Sequence, residues 1–390
     1  MELRGAARSA ALVWCLCVAC WHGTPLAPPE PVATFPFDAY GGAIYVPGVI
    51  DGDSAWLMLD TGLSHTGLDR DWAATAGVPA GETTSTAVVK SLRLGELELQ
   101  NYRVALYRLG GLSEASGRQQ RGLVGHDVLQ RFAVEIDYQL RRVRLFDAAH
   151  YYYKGDGAMV RFTPDADLPL LRASVKIQGR RPIAARLLLD TGASGLCVIL
   201  TAPFGEQHGL SLLRPAIEAP IGTGLVGELH GTIVRLQELQ LGGVRVAAPT
   251  TGVGGEHKGF LGRTDIDGVI GNSVFEGSRL IVDYARRRAI VERSVRGGPT
   301  CDYDMSGLRL VARGPGLKEL VVDYVVPHSP AADAGVLAGD ELLLIDGHPV
   351  AEIDLSDVRR TLRVEGATRQ LVLHREADTL RVAIKLRRLL

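Results

Sequence analysis

Two Asp residues lie in the same local setting and could carry acid–base chemistry. Asp60 opens the tripeptide Asp-Thr-Gly after the apolar run AWLML, and Asp190 opens a second Asp-Thr-Gly after ARLLL. Such a run predicts a buried strand, and an Asp in a dry interior is costly unless it is hydrogen-bonded, paired or used in chemistry. One copy has a plain structural explanation, because Asp-Gly-type turns after strands are common. Two copies favour a pair of carboxylates.

The surroundings of the two motifs are also repeated. LRLGELEL at 92–99 matches LQLGGVRV at 239–246, and GLVGHDVLQRFAVEIDY at 122–138 matches GVIGNSVFEGSRLIVDY at 268–284. The offsets of 147 and 146 residues exceed the 130 of the Asp-Thr-Gly pair, so the second unit has an insertion soon after its Asp. The pattern indicates an internal duplication.

These motifs resemble the retropepsin-like (pepsin-type) aspartic proteases, in which each lobe has one Asp-Thr-Gly and a later hydrophobic-hydrophobic-Gly element. That element is Leu-Val-Gly at 123–125 and Val-Ile-Gly at 269–271. The resemblance implies a mainly β fold with a two-lobed, acid-protease-like pair of β-barrels, lobe 1 at 38–150 and lobe 2 at 158–294. Leu63 departs from the family, which more often has a small residue there.

The family's chemistry then implies roles for the two motifs. Asp60 and Asp190 would face one another across a pseudo-twofold axis and share one proton, so that a water can attack a peptide carbonyl without metal or cofactor. The Thr residues would bond across the lobes, and the Gly residues would admit backbone N–H groups to the carboxylates. These four supporting residues are Thr61, Gly62, Thr191 and Gly192.

A glycine-rich stretch, IGTGLVGELHG, follows in lobe 2. Its Gly222, Gly224 and Gly227 satisfy G-x-G-x-x-G, but no βαβ pattern surrounds them, which argues against a dinucleotide site. In the protease interpretation they form the flap, a mobile hairpin that closes over substrate. The equivalent stretch of lobe 1, GETTSTAVVK, has few glycines, so one dominant flap is expected.

Residues 301–390 resemble a PDZ domain. The resemblance depends on SPAADAGVLAGD at 329–340, LLLIDG at 342–347 and a turn that would hold a peptide C-terminal carboxylate on backbone N–H groups. The residues of that turn are Gly307, Leu308, Arg309 and Leu310. A later helix, DLSDVRRTLRV, would place Leu355, Val358 and Leu362 on one face of a groove for peptide C-termini or strands.

The start of the chain predicts export. Residues 1–19 have two Arg before an apolar run, the layout of a signal peptide. Cleavage after Ala19 by a lipoprotein route would leave Cys20 lipidated and attached to a membrane, although Cys17 stands where Leu is usual. Ordinary signal peptidase would leave Cys20 free, and both routes remain open. The Pro-rich residues 20–37 predict a tether, and the expected location is the bacterial periplasm or cell envelope.

Composition limits the partners. The chain has 43 basic and 44 acidic residues and a formal net charge of -1, so no nucleic-acid partner is expected. No metal-binding His spacing and no nucleophile elbow occur. Cys197 lies in an apolar run and is interpreted as a buried free thiol, so no disulfide framework with Cys301 is predicted. Because both Asp motifs are in one chain, a monomer is expected.

These observations predict an exported aspartic endopeptidase that acts on polypeptides, with a PDZ domain that binds them. The alternative is a catalytically silent peptide-binding adaptor of the cell envelope. In that alternative the fold persists, but Leu63 makes lobe 1 unproductive.

Overall fold

The computed structural model describes residues 29–79, 84–163, 167–293 and 301–390. The predicted signal peptide, most of the predicted tether and the predicted lipidation site Cys20 lie outside these residues. In the part of the chain described, no helix has the length and apolar character needed to cross a membrane.

Lobe 1 is a seven-stranded sheet closed into a barrel. Its strands are β2 (Asp38–Tyr40), β3 (Ala43–Ile50), β4 (Asp53–Leu59), β5 (Gly67–Asp69), β6 (Thr86–Leu94), β7 (Leu97–Tyr107) and β8 (Gly122–Val124). The sheet order is β2-β3-β4-β8-β5-β7-β6, and a further pairing of β3 with β6 closes it. Three helices, α1 (Arg70–Thr75), α2 (Gly110–Ser116) and α3 (His126–Leu129), lie in the connections.

Lobe 2 repeats this plan with nine strands. They are β12 (Leu170–Lys176), β13 (Ile183–Asp190), β14 (Val198–Leu200), β15 (Ala216–Gly224), β16 (Gly227–Arg235), β17 (Glu238–Leu241), β18 (Val244–Ala247), β19 (Thr250–Gly254) and β20 (Gly268–Gly271). The order is β15-β16-β19-β14-β20-β13-β12-β17-β18. Helix α4 (Ala202–Gln207) and 3₁₀ turns at Leu210–Leu212, Gly259–Gly262 and Asn272–Val274 connect them.

The two lobes are joined by a six-stranded sheet to which both contribute. Its strands are β1 (Ala33–Pro36), β9 (Phe132–Asp137), β10 (Arg142–Asp147), β11 (Ala158–Arg161), β21 (Ser278–Asp283) and β22 (Arg288–Arg293). The order is β1-β10-β9-β21-β22-β11, so the hairpin that ends each repeat pairs with its counterpart through β9 and β21. A backbone ladder therefore fixes one lobe relative to the other.

Strand β1 corrects the predicted boundary of the tether. The sequence assigns residues 20–37 to an extended link, but Ala33 and Phe35 are buried and pair with Leu145 and Val143 of β10. The alternating apolar residues supply the buried face. Pro36 is tolerated because β1 is at the edge of the sheet, where a missing N–H breaks no ladder bond.

The C-terminal domain is a separate sheet with its own core. Its strands are β23 (Leu308–Arg313), β24 (Glu319–Val325), β25 (Glu341–Ile345), β26 (His348–Pro349), β27 (Thr368–Arg375) and β28 (Asp378–Lys385), in the order β23-β24-β25-β27-β28 with β26 beside β25. Helices α5 (Pro330–Asp333) and α6 (Leu355–Thr361) pack on it, with 3₁₀ turns at Pro315–Leu317 and Val350–Glu352. Leu355, Val358 and Leu362 share one side of this segment and are buried in the core of the domain, and their place beside a peptide groove stays a prediction.

Helix α2 of lobe 1 lies against this domain. Arg359 of α6 donates through one nitrogen to the carbonyls of Ala115 in α2 and Leu310 in the edge strand β23, both at 2.7 Å. The Gly41 N–H donates to Ser356 Oγ at 3.1 Å. Burial, together with neighbouring Arg side chains, lowers the pKa of Arg359 to about 10. The C-terminal domain is thus docked on lobe 1 through β23 and α6.

A disulfide joins Cys197 to Cys301, with the two Cα atoms 5.7 Å apart. The expectation of a free thiol at Cys197 is therefore wrong. The two residues are 104 positions apart in the chain, and the intervening strands of lobe 2 bring them together, which spacing alone does not reveal. The Cys301 carbonyl also accepts a hydrogen bond from Thr250 Oγ1 (2.8 Å), so the first residue of the predicted 301–390 domain is bound to lobe 2.

Candidate active site

The two Asp residues are placed by equivalent strand pairs. Strand β4 runs parallel to β8, with Leu59 opposite Val124, and β13 runs parallel to β20, with Leu189 opposite Ile270. The predicted hydrophobic-hydrophobic-Gly elements are therefore the strands beside the Asp strands. Because each strand is buried, its end delivers a carboxylate into the space between the lobes.

The glycine of each motif packs against the Asp of the other lobe. A Cβ placed on Gly62 would come within 2.8 Å of Asp190 Oδ2, and one on Gly192 within 2.5 Å of Asp60 Oδ2. Each glycine also donates its N–H to the Asp of its own motif at 2.9 Å. These positions therefore require glycine for close approach rather than for backbone angle.

The threonines of the two motifs exchange hydrogen bonds across the lobes. The Thr61 N–H donates to Thr191 Oγ1 and the Thr191 N–H donates to Thr61 Oγ1, both at 3.1 Å. The Thr61 hydroxyl donates to the Leu189 carbonyl (2.8 Å), and the Thr191 hydroxyl donates to the Leu59 carbonyl (2.7 Å). Both side chains are fully buried. This symmetric set of four bonds holds the two Asp loops in one arrangement.

Asp60 and Asp190 are partly buried and hydrogen-bonded to each other. Burial, the charge of Asp190 and the hydrogen bond to it raise the pKa of Asp60 well above its usual range. Burial also raises the pKa of Asp190, although the hydrogen bond from Asp60 and two backbone amides oppose this. Two carboxylates this close cannot both ionise. The two carboxyl groups therefore share one proton.

Leu63 does not disturb this geometry. Its backbone N–H donates to Asp60, and its carbonyl accepts from the His126 N–H at 2.7 Å. Its side chain packs beside the apolar cluster of lobe 1 that contains Tyr45 and Leu109. The larger residue is accommodated because it faces the interior of lobe 1.

Sequence reasoning missed a pair of contacts between the lobes near the Asp loops. Tyr138 of lobe 1 donates to Asn272 Oδ1, directly after the Val-Ile-Gly of lobe 2. In the reverse direction, the ring of Tyr284 lies edge-on to that of His126, directly after Leu-Val-Gly, with centroids 5.0 Å apart. Both tyrosines come late in their repeats, far in sequence from the Asp loops. Their repeated Asp-Tyr position was the available signal.

The predicted flap is a β-hairpin. Strands β15 and β16 pair with Thr223 opposite Glu228 and Gly224 opposite Gly227, and a bulge lies near Gly222. Gly227 has φ +123°, a value that side chains disfavour, so the tight tip needs glycine here. The tip residues Leu225 and Val226 are exposed, Val226 to 89%. An apolar exposed tip on a hairpin suits contact with a bound polypeptide.

The predicted carboxylate-binding turn has fewer unpaired backbone N–H donors than the sequence suggests. The Gly307 N–H donates to Asp304 Oδ1 at 2.6 Å, and the Leu308 N–H donates to Ser306 Oγ at 3.0 Å. Two of the four backbone donors assigned to a peptide carboxylate therefore already have partners inside the domain. The side chain of Arg309 is directed away from this turn, toward Glu228 of lobe 2.

Among residues 29–79, 84–163, 167–293 and 301–390, no group of three or more His, Cys, Asp or Glu side chains is arranged to hold a metal ion.

Two family matches cover the parts described above. The family described as aspartyl protease matches residues 46–128 and 173–274, so that each segment contains one Asp-Thr-Gly. The family described as PDZ domain matches residues 321–375.

Individual relatives match over shorter or more divergent stretches. A "putative zinc metalloprotease" of Rhizobium meliloti (strain 1021) is 51% identical over 51 residues, which are 13% of this chain and 13% of that protein. Among solved structures, the photosystem II D1 C-terminal processing protease is 28% identical over 23% of this chain and 24% of its own, with a TM-score of 0.21.

Two further solved structures resemble separate parts of the chain. The HtrA3 PDZ domain with a phage-derived ligand is 25% identical over 21% of this chain and 83% of its own, with a TM-score of 0.19. The aspartic proteinase from Irpex lacteus is 12% identical over 67% of this chain and 97% of its own, with a TM-score of 0.42.

Proposed function

The chain carries a duplicated aspartyl protease domain and a C-terminal PDZ domain, and we propose that it is an aspartic endopeptidase that hydrolyses peptide bonds. The observation that carries the proposal is the pair of partly buried, mutually hydrogen-bonded carboxyl groups of Asp60 and Asp190, supported by the symmetric Thr61 and Thr191 bonds. A dyad that shares one proton provides a base and an acid at the same place.

The proposed reaction uses each carboxyl group in one role. Ionised Asp190 accepts a proton from a water bound between the carboxyl groups, and the water oxygen attacks the peptide carbonyl. Protonated Asp60 donates its proton toward the carbonyl oxygen, which becomes a hydroxyl of the tetrahedral intermediate. As the C–N bond of that intermediate breaks, the proton held by Asp190 passes to the leaving nitrogen. One hydroxyl of the intermediate returns its proton to Asp60, which forms the carbonyl of the new carboxyl group and restores the starting state of the pair. Neither a covalent enzyme intermediate nor a cofactor takes part in these steps.

The placement of Leu63 supports catalysis over a silent adaptor. A silent adaptor would require lobe 1 to hold Asp60 unproductively. The N–H donors to Asp60 and the cross-lobe bonds of Thr61 match those of the Asp190 loop in lobe 2. The matching geometry of the two Asp loops therefore favours catalysis over the adaptor alternative.

Export and substrate capture complete the proposal. The predicted leader of residues 1–19 directs the protein to the periplasm or cell envelope, with or without a lipid on Cys20. The Cys197–Cys301 disulfide supports an oxidising compartment, because disulfides persist there and are rare in the cytosol. The PDZ domain is proposed to bind polypeptide ends or strands and to bring them to the lobes.

A cleavage assay on an unfolded protein tests the reaction class. The mature chain should release peptides in the presence of a metal chelator and of thiol and serine reagents. A peptide in which a hydroxymethylene group replaces the scissile amide should inhibit it, because the hydroxyl occupies the place of the attacking water. Loss of activity with the chelator and its return with zinc would instead assign the cleavage to a metalloprotease.

The pH profile should respond to residue 193. Many pepsin-type enzymes have a hydroxyl after Asp-Thr-Gly, whereas Ala193 offers Asp190 only its N–H, at 3.0 Å. In Ala193→Ser the new hydroxyl would donate to ionised Asp190 and lower its pKa, so the acidic limb of kcat/KM should move down by roughly one pH unit. The control is Ser194→Ala, an exposed neighbour. An unmoved or raised limb in active Ala193→Ser would contradict the argument.

A further inference from the structure

The flap hairpin is bound from outside by the PDZ domain. Arg309, on edge strand β23, forms an ion pair with Glu228 and donates to Thr223 Oγ1 at 3.1 Å. Thr223 and Glu228 belong to the two different strands of the hairpin and lie opposite each other, one position from the Gly224–Gly227 pair that closes the tip. One guanidinium therefore connects both flap strands at the tip.

Arg309 is itself held in place. Its side chain is 19% exposed, and Nη1, the nitrogen that pairs with Glu228, also lies 3.4 Å from Asp323 on the neighbouring strand β24. Nη2 makes the directional hydrogen bond to Thr223, whereas Nη1 meets the two carboxylates as an ion pair. A guanidinium can make both kinds of contact at once because its nitrogens lie in one plane and point in different directions.

Further contacts extend this interface down the hairpin. Tyr324 of β24 donates its hydroxyl to the Glu218 carbonyl of β15 at 2.8 Å. Val326 of the PDZ domain is buried in an apolar cluster that also contains Ile217 and Ile221 of the flap, and Ala193 of the Asp190 loop packs against the same cluster. The PDZ domain therefore contacts the flap near its tip and at its apolar base, and it shares an apolar cluster with one Asp loop.

We propose that Arg309 is a positioning residue for peptide-bond cleavage, and that it sets the flap of lobe 2 from the PDZ domain. The inference rests on the proposed function in taking the β15–β16 hairpin as the flap. Strand β16 pairs with β19 only from Gly231 onward, so the part of the hairpin nearer its tip has two strands alone. Two strands alone are marginally stable in water, and the Arg309 contacts restrict the tip to one position. The PDZ domain is then part of the catalytic assembly as well as a module that captures substrate.

A double-mutant cycle on Arg309 and Glu228 tests the proposal in the full-length mature protein. Arg309→Ala and Glu228→Gln should each lower kcat/KM for a long unfolded polypeptide about tenfold, largely through KM, and the double variant should be no worse than either single one. Amide hydrogen exchange of residues 222–227 should be faster in all three. Arg309→Lys should lie between wild type and Arg309→Ala.

The matched control is Arg313→Ala on the same strand. Arg313 pairs with Glu114 and Asp323 and has no ion pair with the hairpin among those found in the described residues, so kcat/KM and flap exchange should stay at wild-type values. Glu228→Gln is isosteric and partly exposed, so it tests the contact even if Arg309→Ala folds poorly. Unchanged flap exchange in Glu228→Gln, or additive effects of the two substitutions, would overturn the proposal. Absence of cleavage by wild type would overturn the proposed function alone, because hydrogen exchange measures the contact of Arg309 with the flap without any cleavage.

Discussion

Replacing Asp190 with Asn is expected to lower kcat for peptide cleavage by a factor of about 10³ or more, and Asp60→Asn should do the same. An amide cannot accept the proton of the attacking water at position 190, and it cannot supply the shared proton at position 60. Because the carboxyl groups act as a unit, the double variant should lose no more than either single variant. Initial rates on an unfolded protein, with product masses, measure the effect.

The folded state should survive these substitutions. Asn keeps the shape and one acceptor oxygen, and it removes the cost of burying a charge, so Tm should be unchanged or higher. Asp137→Asn is a suitable control, since that carboxylate accepts from the turn amides of Gln139 and Leu140 and lies outside the Asp-Thr-Gly loops. If Asp60→Asn kept most of the activity, the dyad within one chain would be wrong, and pairing of lobe 2 with a second chain would be favoured.

Thr191→Val should weaken both the fold and the catalysis. The hydroxyl donates to the Leu59 carbonyl and accepts from the Thr61 N–H, and both partners would remain buried without it. Each unpaired buried group costs about 1–3 kcal/mol, so the free energy of unfolding should fall by about 2–5 kcal/mol. Looser Asp loops should also lower kcat by about tenfold or more. Denaturant unfolding and initial rates measure the two effects.

Thr201→Val provides the comparison at a buried threonine of lobe 2. Its hydroxyl is fully buried and has no hydrogen-bond partner in the described structure, so removing it should leave stability equal or slightly higher. Equal losses in Thr191→Val and Thr201→Val would show that the cost comes from generic repacking and that the cross-lobe bonds contribute little.

The residues that the chain repeats were the ones most open to prediction. Asp60 and Asp190 were located because a buried strand before Asp-Thr-Gly occurs twice, and each copy alone would be ambiguous. The hairpin at Gly224 and Gly227 followed from glycine spacing without a helical pattern. Local chemistry is sufficient in these cases, because a turn or a strand depends mainly on neighbours in sequence.

Contacts between distant segments were not open to prediction in the same way. The pairing of β9 with β21 joins the two repeats, but the sequence of each hairpin predicts its own two strands and does not indicate a partner in the other repeat. The Cys197–Cys301 bond depends on the path of lobe 2, and the ion pair of Arg309 with Glu228 depends on how two domains dock. Periodicity carries no information about such docking, because long polar side chains are equally suited to solvent.

Helix α2 lies where a peptide would add to the PDZ domain, so the helix and a peptide compete for the same edge of the sheet. A peptide that adds beside β23 meets the Leu310 carbonyl, which Arg359 binds together with Ala115 of the helix. The helix belongs to the same chain, so its effective concentration is on the order of millimolar, whereas a peptide competes at its bulk concentration. The apparent Kd of a peptide for the full chain is therefore the Kd of the open groove divided by the fraction of molecules in which the helix has left. Titrating one peptide against the full chain and against the separate domain would yield that docking equilibrium as the ratio of the two values.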